Sequence, residues 1–340
     1  MSMFFGFNHF KVAYRAFHSS RLNKDFWSES QAIARQARPE HFIRVPETRK
    51  PYLKPIQKKF SLTSVGDYYK SDFAKKEGIF LYSNDWRYCF GWDDAARPLN
   101  AQKIDRSHNK IAIIIGNGNV FSWLKAFDAH DILLIDCEPV VHYFLLRVRS
   151  LILETNLAGN FLKIRQYLLH EIGDIESTIY CKNSACKFGL GLNNSAGIYT
   201  WLRDTHFLSS KECLEECQRA LKWKELLPIN VNVFDIEMVK ALSEALKKAN
   251  CRVSYMNLSN VADYDSQKKL FDALSQLPFD DPLQIISTSR IRNEVYTNTL
   301  PHFFLSQSVD ELKKAIDRTY RLAIEPSYKY KYCKLTGRYL

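Results

Sequence analysis

A chain of 340 residues is long enough for about two domains, or for one core with a large insertion. Its hydrophobic share of 46% and charged share of 25% are those of a globular protein and exclude wholesale disorder. No apolar run nears the ~18 residues that cross a bilayer, and eight irregularly spaced cysteines suit free thiols in a reducing compartment better than a disulfide scaffold.

The net charge of +11 is unevenly spread. Residues 1–110 carry 20 basic and 11 acidic side chains, and residues 318–340 carry six and one, so the middle is slightly acidic. Basic ends on such a body can gather an anionic partner, whether nucleic acid, acidic protein or a phospholipid surface.

In chain order, residues 1–24 hold Lys11, Arg15, Arg21 and Lys24 without an acid and resemble a mitochondrial presequence. Arg15, Phe17 and Ser20 fit the Arg-x-Phe-x-x-Ser pattern of matrix processing. An ordinary basic arm is the other reading, so the compartment expected is cytoplasm or mitochondrial matrix. A classical secretory signal would need a cleaner apolar core. Residues 25–38 read as a helix ended by Pro39. Four prolines between 39 and 60 suggest an extended surface segment, and the aromatic-rich stretch 78–100 a hydrophobic cap. Together, 25–110 form an N-terminal accessory region.

From residue 111 the pattern becomes α/β. The run 111–115 is a buried strand ending in a glycine turn, and 120–129 follow as a helix. A second strand, 132–135, closes on Asp136, and a helix runs from 140 to about 157. Residues 158–226 read as a helical insertion around the loop 181–197. Strands at 229–234, 252–256, 283–287 and 302–306 alternate with helices at 237–250, 266–277 and 309–322. A doubly wound, mostly parallel, Rossmann-like sheet over 111–326 is expected, with a helical insertion and a basic N-terminal extension.

Gly116 and Gly118 permit close backbone approach to a ligand, and the following helix start favours negative charge. Asp136, at the tip of the second strand, stands where a carboxylate can accept both ribose hydroxyls. Phe121 occupies the third fingerprint position, where a pyrophosphate-binding turn wants glycine, and so argues against an NAD-linked oxidoreductase.

With these residues the chain resembles the class I S-adenosylmethionine-dependent methyltransferases. IAIIIGNGN (111–119) is similar to their glycine motif and LLIDCEP (133–139) to their ribose-binding strand end. The resemblance covers roughly 111–306. It implies S-adenosylmethionine as cofactor, with Gly116, Asn117 and Gly118 along its methionine part and Asp136 on its ribose. It also implies that Phe234 and Asp235 lie near adenine, and that Asn257, Asn260 and Tyr264 orient the acceptor. The strand 111–115 lacks the acid that opens the family's motif. That departure favours the alternative of a non-catalytic binding or assembly module of the same fold.

Cys181, Cys186, Cys213 and Cys217 do not have zinc-knuckle spacing, so no structural metal is expected. The tail 327–340 interleaves tyrosines with lysines, a composition that can stack on bases and neutralise phosphates. With the basic N-terminal third, it makes RNA or a ribonucleoprotein the preferred partner and acceptor.

Overall fold

The computed structural model describes residues 41, 43–70, 108–115, 120–124, 130–179, 207–258, 261–264, 269–290 and 301–324. The expectations for 1–24, 25–38, 78–100, the glycine turn 116–119, the loop 181–197, Asn260 and the tail 327–340 lie outside the described residues.

Among the described residues, six strands form one sheet: β1 (Asn109–Ile115), β2 (His130–Asp136), β3 (Leu226–Asn230), β4 (Cys251–Asn257), β5 (Phe279–Arg290) and β6 (Pro301–Ser306). Their spatial order is β3-β2-β1-β4-β5-β6. All neighbours are parallel except β6, which runs antiparallel to β5. The chain is therefore an α/β protein with a mostly parallel mixed sheet.

The reason is visible in β1, whose residues Ile111, Ile113 and Ile115 enter one hydrophobic cluster while Ala112 and Ile114 enter another. A strand covered on both faces must be apolar at every position, hence the unbroken run. One face is covered by α3 (Val120–Trp123), α4 (Pro139–Glu154), α5 (Phe161–Ile179) and α6 (Lys211–Trp223). The other carries α7 (Ile236–Lys248), α8 (Leu270–Leu274) and α9 (Val309–Ile324).

The segment 43–70 overturns one expectation. Instead of lying extended on the surface, it forms a 3-10 turn, Pro51–Leu53, and two short helices, α1 (Lys54–Lys59) and α2 (Val65–Lys70). Pro51 and Pro55 occupy first-turn positions, where a missing N–H costs nothing and the fixed φ suits a helix. Leu53, Ile56 and Phe60 are buried among the residues of β3 and α7, whereas Ile43, Val65 and Tyr68 join the opposite cluster. The segment thus straps across the sheet edge from one face to the other and belongs to both cores rather than to a separate accessory layer. Each of its fully buried aliphatic side chains contributes about 1.5–3 kcal/mol.

The strap is fastened at both ends of β3. On the amino side, the Arg49 N–H donates to Glu225 Oε2 at 3.2 Å, and the Tyr52 hydroxyl donates to the Asp131 carboxylate. On the carboxyl side, the Asn230 N–H donates to the Phe60 carbonyl at 3.0 Å. An edge strand left open would present unpaired backbone to other chains, and here it is covered.

One further expectation is corrected. The third strand is Leu226–Asn230, not 229–234, because Pro228 is tolerated inside an edge strand and the chain turns after Asn230. Of the helices expected over 120–129 and 266–277, the described parts are Val120–Trp123 and Leu270–Leu274; residues 125–129 and 265–268 lie outside the described residues. Within 158–226, α6 packs on α4 and α3 and buries Leu214, Cys217 and Leu221 in the core on that side of the sheet.

Candidate functional site

In this strand order the chain leaves β1 toward β2 on one side and later reaches β4 on the other, so the switch point lies between the carboxyl ends of β1 and β4. Open α/β sheets hold ligands in the crevice at such a point. Register sets the neighbours there: Ile114 pairs with Leu134 and with Asn257, and Asp136 follows two residues beyond Leu134. By strand alternation, Asp136 and Asn257 share the face that carries α4. Two strand spacings and two residue rises put their Cα atoms about 12 Å apart.

Asp136 is half-buried at the tip of β2, and its Oδ1 accepts the Glu138 N–H at 2.9 Å. Burial raises its carboxyl to about 6, against the pull of the Glu138 and Cys137 N–H groups and the Cys137 thiol, which favour the anion. Beside it the Tyr68 hydroxyl, brought by the strap, hydrogen-bonds the Cys137 sulfur. Burial and the neighbouring Asp136 and Glu138 charges push the thiol well up, so Cys137 is no nucleophile at neutral pH.

Beneath Asp136, His142 Nε2 lies 3.3 Å from the Asp136 carbonyl oxygen. A carbonyl only accepts, so Nε2 carries the hydrogen. Burial pulls this ring down to about 4, leaving it neutral at pH 7. Asn230 completes the frame. In the amide orientation that satisfies both ends, its nitrogen donates to the Cys137 and Asp136 carbonyls at 3.1 and 3.2 Å, and its oxygen accepts from Thr63 Oγ1 at 2.9 Å. The strap, β3 and the β2–α4 turn therefore hold one another, and the Asp136 main chain is fixed from three directions.

Because the folded chain binds the Asp136 proton more tightly than the ordinary value of 3.8 allows, the associated stability is complete below about 3.8 and is lost as pH rises through about 6. Asp136→Asn, which keeps an acceptor for the Glu138 N–H, is expected to be more stable than the parent at pH 7–8 by about 1–3 kcal/mol. The gap should close near pH 4. Denaturant titrations of both proteins across that range measure it, and a pH-independent difference would remove burial as the cause.

The other expected site residues fall as follows. Asn257 ends β4 and is fully buried. Asp235 is exposed, and its Oδ1 accepts the Glu237 and Met238 N–H groups at 3.0 and 3.1 Å as the N-cap of α7. With β3 ending at Asn230, Phe234 and Asp235 sit in the β3–α7 loop rather than at a strand tip, and Phe234 packs partly on the core. Tyr264 ends a 3-10 turn, Val261–Tyr264, after β4; its side chain lies outside the described residues, as do Gly116, Asn117, Gly118 and Asn260. Phe121 is buried and packs on Phe207, ring centroids 5.8 Å apart.

Tyr68, Glu138, His142 and Asn230 were not expected at the site. Glu138 and His142 carried a local signal, two acids around Cys137 and a histidine one turn into an apolar helix. Tyr68 lies 68 residues before Asp136 and carried none. Among the described residues no cluster of three or more His, Cys, Asp and Glu side chains could hold a metal ion, and no helix is long and apolar enough to cross a membrane. Comparison with protein-family models and with curated proteins found no match.

Proposed function

We propose that the crevice at the carboxyl ends of β1, β2 and β4 binds S-adenosylmethionine, and that the protein is a transferase of the class I methyltransferase type acting on a macromolecular acceptor, with RNA preferred. The observation that carries this reading is Asp136, a fixed carboxylate at the tip of β2 beside the switch point. It is ionised above pH of about 6 and is suited to accept two ribose hydroxyls.

Two features favour this single-nucleoside cofactor over a dinucleotide. Phe121 buries a ring against Phe207 at the position where a pyrophosphate turn needs glycine. The antiparallel β6 also breaks the second parallel half on which a dinucleotide would rest its other nucleotide. When bound, the cofactor supplies an activated methyl group. The chain's own contribution is alignment in a water-poor crevice, with Gly116, Asn117 and Gly118 along the methionine part and Asn257, Asn260 and Tyr264 toward the acceptor.

A second reading, a binding module without catalysis, is favoured by the enclosure of Asn257 and by the use of Asp235 as a helix cap. Calorimetric titration with S-adenosylhomocysteine, with NAD as the control, tests the cofactor. Micromolar binding of the first alone is expected, and Asp136→Ala should weaken it about ten- to a hundredfold. NAD binding alone, or full affinity in Asp136→Ala, would sink the assignment. Binding without methyl transfer to RNA would select the second reading.

A further inference from the structure

Trp223, the last residue of α6, is 77% exposed, far more than any other large hydrophobic side chain among the described residues. Its surroundings are cationic and fixed. Lys222 and Lys224 flank it, and the Arg49 guanidinium, reaching from the strap, donates to both of their carbonyl oxygens. The same arginine pairs with Glu225 at 3.6 Å, whose side chain is only 8% exposed. Arg149 of α4 comes close enough for Arg49 to repel its charge and Glu225 to attract it. Two arginines thus attend one carboxylate that is buried and already bonded, and two lysines flank the indole in the chain.

We infer that this surface is a docking platform for an unpaired polynucleotide strand, with a base stacked on the Trp223 indole and its flanking phosphates on Lys222, Lys224 and Arg49. An exposed indole presents a flat π face that accepts any base, and lysines beside it meet the phosphates on either side. An acidic protein segment would use the cations but gain little from the indole. Arg49 clamps the main chain on both sides of Trp223, so the ring is presented from a rigid turn rather than a frayed helix end. The platform stands at the amino end of β3, about 15–20 Å along the strand from the Asp136 end. It is therefore distinct from the nucleoside crevice and does not depend on that assignment.

Fluorescence anisotropy of a labelled single-stranded oligouridylate on the full chain tests it. Trp223→Ala should weaken binding about fivefold to a hundredfold at unchanged melting temperature, and Trp223→Phe should restore most of the loss. Lys222→Gln with Lys224→Gln should lower the slope of log affinity against log salt by about 1.4. The inference is overturned if the parent does not bind, or if Trp223→Ala binds within about twofold of it, which would place the strand elsewhere. It is equally overturned if an oligoglutamate peptide binds with the same dependence on Trp223, since the partner would then be an acidic protein.

Discussion

Asp280→Ala is expected to destabilise the protein by about 3–5 kcal/mol. At the amino end of β5, Asp280 Oδ1 lies 3.0 Å from His108 Nε2 and its Oδ2 lies 3.4 Å from Lys110 Nζ. The three side chains are only 6%, 9% and 14% exposed. Removing the carboxylate takes the anion away from a buried ammonium and its neighbouring imidazole where water barely reaches, and the desolvation already incurred is less well offset. Asp280→Asn keeps an acceptor for one partner and should lose less. Urea denaturation at two salt concentrations checks both points, since an enclosed cluster is little screened. A loss below about 1 kcal/mol would mean that Lys110 swings out to solvent and the cluster is effectively a surface pair.

Ile56→Ala should cost about 2–5 kcal/mol, while Lys58→Ala on the same helix stays within about 0.5 kcal/mol. Ile56 is fully buried in α1 between β3 and α7, and Lys58 faces solvent. The comparison asks whether the strap is part of the cooperative unit. If it is, the main unfolding transition moves as a whole when Ile56 is shortened. A detachable arm would instead melt early and leave that transition where it was.

Much of the sheet was legible because a strand covered on both faces has no polar positions to confuse its reading, as 111–115 and 132–135 illustrate. The end of the second strand was legible too, because the apolar run stops at Asp136. Where the reading failed, a local signal was overruled by distant neighbours. The third strand was read at 229–234, yet it pairs with β2 over Leu226–Asn230 and takes Pro228 inside the edge strand. Pro51 and Pro55 looked like extended chain and became helix starts, because Leu53, Ile56 and Phe60 find their partners in β3 and α7. Asp235 looked like a ligand carboxylate, and its first obligation is to two N–H groups of α7. Tyr68 reaches Cys137 only because the strap doubles back around the edge, a path written in no short window of sequence.

The same strap sets a timetable for the chain's birth. Arg49 and its partner Glu225 are 176 residues apart, and Thr63 and its partner Asn230 are 167 apart. At a synthesis rate of about 5–20 residues per second, the strap leaves the ribosome roughly 8–35 seconds before β3 exists to receive it. Throughout that interval Leu53, Ile56 and Phe60 have no native place to go, and β3, once made, is an open edge until they arrive. The nascent protein therefore needs shelter for the strap until β3 is made, and a chain begun after residue 70 would leave the β3 edge bare.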